Sequence, residues 1–216
     1  FTVLIDERPE EVTDFKRSTG ATVYSSNLDE RPDKHIRIAK LAFSVAQIQA
    51  EMGHDVVVLI DSLTRMTRAF NLRTRGRGKT LSGGIDADAL AIPKKFFGAA
   101  RNFKGKGSLT VLASILINTE SKMDEVIFQE YKGTGNMELV LDRDIAERGI
   151  YPAISILESG TRKEELILGK NLEAVTNIRR KLSQYRDVEA LAEILGAFRK
   201  TKSNDELFQR ITGKVK

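Results

Sequence analysis

Val56-Val57-Val58-Leu59-Ile60-Asp61 is the stretch that decides the fold: five apolar residues run without a break into an acid. An apolar run of strand length with no polar alternation reads as a strand covered on both faces, as in a parallel sheet lying between helices. Similar runs occupy Phe1–Ile5, Ala21–Ser25 and Leu109–Ile117, with further candidate strands at Met137–Leu141 and Pro152–Leu157. Between the runs the apolar period lengthens to that of helices. Ile36, Ala39, Phe43, Ala46 and Ile48 lead to Gly53 as a C-terminal stop, Ser62–Phe70 is helix-like, and Ala87 to Phe103 repeats apolar positions at similar spacing. The alternation predicts an α/β fold with a largely parallel sheet and flanking helices. After about Asn171 the apolar sets Leu172-Val175-Ile178-Leu182, Leu191-Ile194-Leu195-Phe198 and Leu207-Phe208-Ile211 predict three short helices. With no repeat or composition break, residues 1–170 are expected to form the body of one domain and residues 171–216 its C-terminal helical cap.

Composition excludes several classes of function. The 216 residues are 41% hydrophobic and 30% charged, an ordinary globular balance. Cysteine is absent, which removes disulfide scaffolds, Cys-ligated zinc and iron–sulfur clusters. His35 and His54, the two imidazoles, have no ligand cluster around them and read as solvated or capping residues. No apolar run approaches the ~20 residues that span a bilayer, so no membrane partner is expected. The net charge is +5, but it is unevenly spread. Eleven basic residues between Ser62 and Lys106 face only Asp86 and Asp88, giving +9 there and −4 elsewhere. A positive middle in a slightly acidic chain is the footprint of a polyanion-facing surface.

That middle holds one long Gly-rich loop, Gly76-Arg77-Gly78-Lys79-Thr80-Leu81-Ser82-Gly83-Gly84. Gly78-Lys79-Thr80 imitates the end of a phosphate-binding P-loop, yet Arg73 stands where the motif needs its first Gly. Ser62–Phe70 also separates this loop from the preceding strand, whereas a P-loop joins strand directly to helix. Lys122, after the Leu109–Ile117 strand, makes a second basic loop, with Ser121 and Asp124 resembling a helix start. Without Trp, and with 6% aromatics, backbone phosphate and sugar contacts are expected rather than base stacking.

Two strands end in acid, Val3-Leu4-Ile5-Asp6-Glu7 and Val57-Val58-Leu59-Ile60-Asp61. Ligands of open parallel sheets bind outside the carboxyl ends of the strands, so both acids are expected at one rim. An Asp there can hold Mg²⁺ on nucleotide phosphates through water, and a neighbouring Glu can orient and deprotonate the attacking water. Other readings stay open: Asp61 caps the helix near Leu63, and Asp6 and Glu7 lead into a helix opened by Pro9. Arg162, in Ser159-Gly160-Thr161-Arg162-Lys163-Glu164, either reaches a neighbouring subunit's phosphates or is solvated beside a Thr161–Glu164 capping box.

Six blocks in one order resemble the bacterial transcription termination factor Rho family: Ile5-Asp6-Glu7-Arg8-Pro9-Glu10-Glu11-Val12, Leu59-Ile60-Asp61-Ser62-Leu63-Thr64-Arg65, Phe96-Phe97-Gly98-Ala99-Ala100-Arg101-Asn102, Ser121-Lys122-Met123-Asp124-Glu125-Val126, Lys132-Gly133-Thr134-Gly135-Asn136-Met137-Glu138 and Ser159-Gly160-Thr161-Arg162-Lys163-Glu164-Glu165-Leu166. The resemblance covers Phe1 to about Leu166. It implies a RecA-like P-loop NTPase core, part of a cytoplasmic homohexamer that hydrolyses ATP with Mg, moves 5′-to-3′ on single-stranded RNA and releases transcripts from RNA polymerase and its elongation factors.

By motif, the resemblance implies that Glu7 is the catalytic glutamate, Asp61 the Walker B magnesium residue and Arg162 an arginine finger donated across the subunit interface. Arg8, Arg65 and Arg143 match nucleotide-contacting positions. Lys79 and Thr80-Leu81-Ser82-Gly83-Gly84 resemble one RNA loop of the central channel, and Lys122 the key lysine of the other. The family's N-terminal RNA-binding domain and P-loop are not in this stretch, so the stretch alone is expected to be inactive. The competing expectations are a catalytically silent RNA-binding or oligomerisation module, and a RecA-like ATPase acting on DNA or in protein export.

Overall fold

The computed structural model describes residues 1–74, 76 and 80–211. The chain divides into two compact units, Phe1–Gly135 and Asn136–Lys216. The first contains β1 (Thr2–Glu7), α1 (Pro9–Ser18), β2 (Val23–Asn27), α2 (Pro32–Glu51), β3 (Asp55–Asp61), α3 (Leu63–Thr74), α4 (Ala87–Phe97), β4 (Arg101–Asn102), β5 (Ser108–Ala113) and α5 (Lys122–Lys132). Its sheet runs β2-β1-β3-β5-β4, parallel except for the short antiparallel edge strand β4. The expected α/β class and largely parallel sheet are what the chain forms.

Side-chain size explains the packing of the longest helix. Pro32 opens α2, with its ring pre-set for the first turn, and Ala39, Ala42, Ala46 and Ala50 recur at three- and four-residue steps on its buried stripe. Small residues there let the helix lie close to the sheet, where Val3, Ile5, Val58 and Ile60 meet it in one core with Phe43, Met66, Phe70 and Leu90. Phe43 stacks on Phe96 at 4.3 Å between ring centroids. His35, read from sequence as solvated or capping, is instead buried, with Nδ1 2.8 Å from the Ser26 hydroxyl.

The β3 run is not covered evenly. Val56, Val58 and Ile60 are buried, whereas Val57 and Leu59 on the opposite face are 47% and 37% exposed, as is Leu112 of β5 at 54%. Among the described residues, α2 packs beneath β3 and β5 on the first face, and Val57, Leu59 and Leu112 stay open on the other. The run from Leu109 ends as a strand at Ala113, and the helix expected to Phe103 stops at Phe97, with the Gly98 amide donating the terminal bonds to the Lys94 and Phe96 carbonyls.

The second unit contains β6 (Met137–Glu138), α6 (Arg143–Glu147), β7 (Gly160–Thr161), α7 (Glu165–Leu168), α8 (Leu172–Leu182), α9 (Asp187–Arg199) and α10 (Asn204–Ile211). β6 and β7 pair antiparallel, and Pro152–Leu157 contributes only an isolated bridge from Ile154 to Leu141 instead of a strand. Ile145, Ala153 and Leu191 form its buried core. The three C-terminal helices form where the apolar spacing places them. No helix among the described residues is long and apolar enough to cross a membrane.

β3 and β5 approach so closely at their amino ends that Gly107 has no room for a side chain: a Cβ there would lie 1.9 Å from the His54 carbonyl oxygen. Both partners are backbone, so the strands themselves must part. Gly107→Ala is expected to cost about 3 kcal/mol of unfolding free energy by urea titration, against under about 0.5 kcal/mol for Gly133→Ala, whose surroundings are open.

Candidate active site

The parallel register pairs Leu4 of β1 with Asp61 of β3, which brings the two acid-ended strands side by side at their carboxyl ends. A bulge then alters β1: Ile5 pairs with Ser26 and Glu7 with the next residue, Asn27, so Asp6 is the extra residue, at φ 62°. An inserted residue breaks strand alternation and re-aims the side chain that follows. Glu7 accordingly lines one cleft of about 260 Å³ with Leu4, Glu11, Asp14, Phe15, Ser18 and Asp61.

Each acid has a distinct environment. Glu7 is 7% exposed and accepts an ion pair from Arg65 Nη1 at 2.8 Å, and the same guanidinium donates to the Asp6 carbonyl. Burial raises the Glu7 pKa to about 7, a shift to which its side-chain hydrogen bond with Glu11 and the charges of Asp61 and Glu11 add. Arg65 acts in the opposite direction without cancelling them. A buried carboxyl that titrates near neutrality is suited to exchange a proton with water at that pH. Asp61 is exposed, and the Ser114 hydroxyl at the end of β5 donates to its Oδ1 at 2.6 Å.

The capping interactions that the sequence offered as alternatives do not form at these positions. Ser62, not Asp61, accepts from the Arg65 amide in the first turn of α3, leaving the Asp61 carboxylate to the cleft. α1 starts with Pro9 in its first turn, and Arg8 before it makes no side-chain cap. Thr161 donates to the Asn136 carbonyl instead of forming a capping box with Glu164, and the Arg162 amide donates to the same carbonyl. Arg162 itself is exposed in the second unit, as is Arg143 at the start of α6, behind the capping side chain of Asp142.

The predicted polyanion loops also meet. Thr80, Ser82 and Gly84 are exposed on a turn closed by the Leu81 amide on the Ile85 carbonyl at 2.6 Å, and Lys122 is exposed at the first position of α5. Lys79 lies outside the described residues. Ser121 caps α5 as its sequence predicts, accepting from the Asp124 amide.

Sequence reasoning did not single out Ser114 or Glu11. Glu11 stands one helical turn beyond Glu7 across Pro9, a spacing that could have flagged it. Ser114 gave no signal, because its partner lies 53 residues away and is reached only through the β3–β5 pairing. The oxygen donors fit a hard cation such as Mg²⁺, and no cluster of three potential metal ligands occurs among the described residues. That combination suits an ion held by one carboxylate through water and by substrate phosphates, rather than by a protein cage.

Residues 3–161 match the ATP synthase alpha/beta family, nucleotide-binding domain. The sequence is 51% identical over 210 residues to transcription termination factor Rho of Karelsulcia muelleri (strain SMDSEM), covering 97% of this chain and 55% of that protein. Rho of Bacillus subtilis (strain 168) is 52% identical over 207 residues, 95% of this chain and 48% of the relative. The chain therefore spans about half the length of these curated relatives. A prototypical ATPase from the type III secretion system of pathogenic bacteria has the same fold, with a TM-score of 0.74 at 22% identity over 99% of this chain and 64% of that one. The resemblance to Rho and the RecA-like α/β core are both borne out.

The Glu7 carboxyl sets a pH dependence whose sign is fixed. Between its ordinary 4.5 and about 7 the folded chain keeps a proton that the unfolded chain has lost, so stability falls as pH rises through that window. Glu7→Gln removes this slope. Without nucleotide, the variant is expected to gain on the parent by up to about 1.4 kcal/mol per pH unit across the window and to level off above it, as read by urea unfolding.

Proposed function

The chain belongs to the ATP synthase alpha/beta nucleotide-binding family, and we propose that it is the motor core of a Rho-type transcription termination factor. In this reading the intact cytoplasmic protein is a homohexameric, RNA-dependent ATPase that moves 5′-to-3′ on single-stranded RNA and releases transcripts from RNA polymerase with its elongation factors. The observation that carries it is the convergence of Glu7 and Asp61 on one cleft, in a chain about half identical to Rho proteins over nearly its whole length.

The mechanism follows from the environments of the groups. Glu7, poised near neutrality, accepts a proton from the water that attacks the terminal phosphate of ATP. Arg65 keeps its carboxyl turned to the cleft, and Glu11 shares the hydrogen bond that keeps Glu7 from ionising too early. Asp61, aimed by Ser114, would hold Mg²⁺ through water, and that ion supplies charge neutralisation on the phosphates. Arg8, Arg65 and Arg143 contact nucleotide, and Arg162 stabilises the transition state in a neighbouring subunit's site. Lys79, Thr80-Leu81-Ser82-Gly83-Gly84 and Lys122 take the RNA backbone. Residues 1–170 act as the ATPase body and 171–216 as its helical cap. Without a P-loop in these 216 residues, the stretch by itself is inactive.

In the full-length protein, Glu7→Gln and Asp61→Asn are each expected to lower RNA-stimulated turnover by about 10²-fold or more. Arg162→Ala should lose turnover while still binding nucleotide, and mixed rings with an Asp61→Asn protein should recover part of it. Near-normal turnover in the first two variants sinks the assigned roles. Equal stimulation by poly(C) RNA and single-stranded DNA favours a motor on another track.

A further inference from the structure

Among the described residues between Arg73 and Ile85, three glycines hold left-handed backbone: Gly76 at φ 82°, Gly83 at 73° and Gly84 at 76°. Their surroundings differ. A Cβ on Gly76 would meet nothing within 4 Å, and one on Gly84 would touch only the end of the Met123 side chain at 4.0 Å. A Cβ on Gly83 would lie 2.7 Å from the Lys122 carbonyl oxygen, 2.9 Å from its carbonyl carbon and 2.9 Å from the Met123 Cα. All three are backbone atoms that no rotamer change can move. Gly83 alone among the three is bare for want of space as well as for its torsion.

Both sides of this seam are gripped by α3. One residue, Asn71, donates from Nδ2 to the Gly84 carbonyl at 3.1 Å and accepts the Asp86 amide on Oδ1 at 2.8 Å, so the turn is clasped from beneath. One helical turn earlier, Arg68 donates through Nε and Nη2 to Asp124 at 2.6–3.0 Å. Asp124 is 2% exposed and also receives the Thr119 hydroxyl at 2.7 Å, which pins the start of α5. The two loops are therefore anchored to one helix, and their spacing is set where Gly83 rests on the Lys122–Met123 backbone.

We propose that Gly83 is a positioning residue for Lys122: its missing side chain lets the turn seat directly on the first peptide of α5, so the two basic loops present one fixed surface to a nucleic-acid backbone. This rests on the RNA reading of those loops. Even a methyl group wedged into the seam drives Lys122 away from Thr80–Gly84 by an amount that only backbone motion can absorb. Phosphate contacts depend on such spacing, because they fix register on the strand. Neither Asp61 nor Glu7 touches the seam, so the nucleotide site is spared.

The test uses the full-length protein with poly(C) as the probe. It reads the RNA concentration for half-maximal ATPase stimulation, the turnover at saturating RNA and RNA-free ATP binding. Gly83→Ala is expected to raise the half-maximal concentration about tenfold with ATP binding unchanged, while Gly76→Ala, equally strained but unobstructed, changes it less than about twofold. A structural defect without positioning would lower ATP binding and RNA response together, and that result overturns the proposal, as does a Gly83→Ala protein indistinguishable from Gly76→Ala. If Gly83→Ala does not fold by thermal melting, Asn71→Asp decides instead. It keeps the acceptor for Asp86 but loses the donor to Gly84, and a rise of about threefold supports the seam while no rise overturns it. Lys122→Ala separates the two layers: if it leaves the poly(C) response intact, the RNA reading fails and this inference with it, whereas a weakened Lys122→Ala beside an unaffected Gly83→Ala overturns the seam alone.

Discussion

The register of β1 against β3 is the constraint on which the site depends. Pairing Leu4 with Asp61 sets the two acidic strand ends at one edge, and the Asp6 bulge then brings Glu7 to the same side. A shift by one residue would send Asp61 to the core face, among Val3, Ile5 and the apolar stripe of α2. The core enforces the register, because Val3, Ile5, Val58 and Ile60 must all face α2 and α3 together. Hydrophobic burial of these four side chains thus fixes the position of two carboxylates that contribute nothing to the core themselves.

Within the cleft the balance of charge is finely divided. Glu7 is pushed toward its neutral form by its own burial and by two acidic neighbours, Glu11 and Asp61, and is opposed by one cation, Arg65, at 2.8 Å. Full compensation would leave an ordinary ionised carboxylate, a weak base; no compensation would leave a permanently protonated acid. Arg65 is partly exposed, so solvent screens it, and the result lies between those limits. The same α3 carries Arg68 and Asn71 toward the basic loops, so one rigid helix begins at the cleft and ends at the seam between Gly83 and Lys122.

The sheet was legible in the sequence because its strands are continuous apolar runs, and the helices because their apolar positions recur at helical spacing. What escaped depends on pairing. The second face of β3 reads as buried from Val57 and Leu59, yet both are exposed, since composition reports apolarity and not what lies opposite. Pro152–Leu157 has strand-like residues but gains only one bridge partner. Arg101–Asn102 is too short and polar to announce an edge strand, which β5 alone makes possible. At the site, Glu7 and Asp61 were visible as strand-terminal acids, whereas the Asp6 bulge and the Ser114 hydroxyl become evident only when three strands are side by side. The grip of Asn71 on Gly84 and Asp86 was equally invisible, since an Asn in a helix gives no sign of its tertiary partners.

The relation between core and loops follows from the comparisons. A fold shared at 22% identity with a secretion ATPase requires only the apolar pattern of strands and helices to persist. Such a pattern says nothing of what a protein of this fold acts on. Features that distinguish one protein of this fold from another are then free to lie outside the core, in exposed segments that can change without disturbing the β1–β3 register. Here the stretch from Ser62 to Lys106 has a net charge of +9, divided between α3, α4 and the segments between and after them, and the seam at Gly83 ties the turn before α4 to the backbone at the start of α5. At that seam the spacing is set by backbone against backbone, so no choice of side-chain rotamer can alter it.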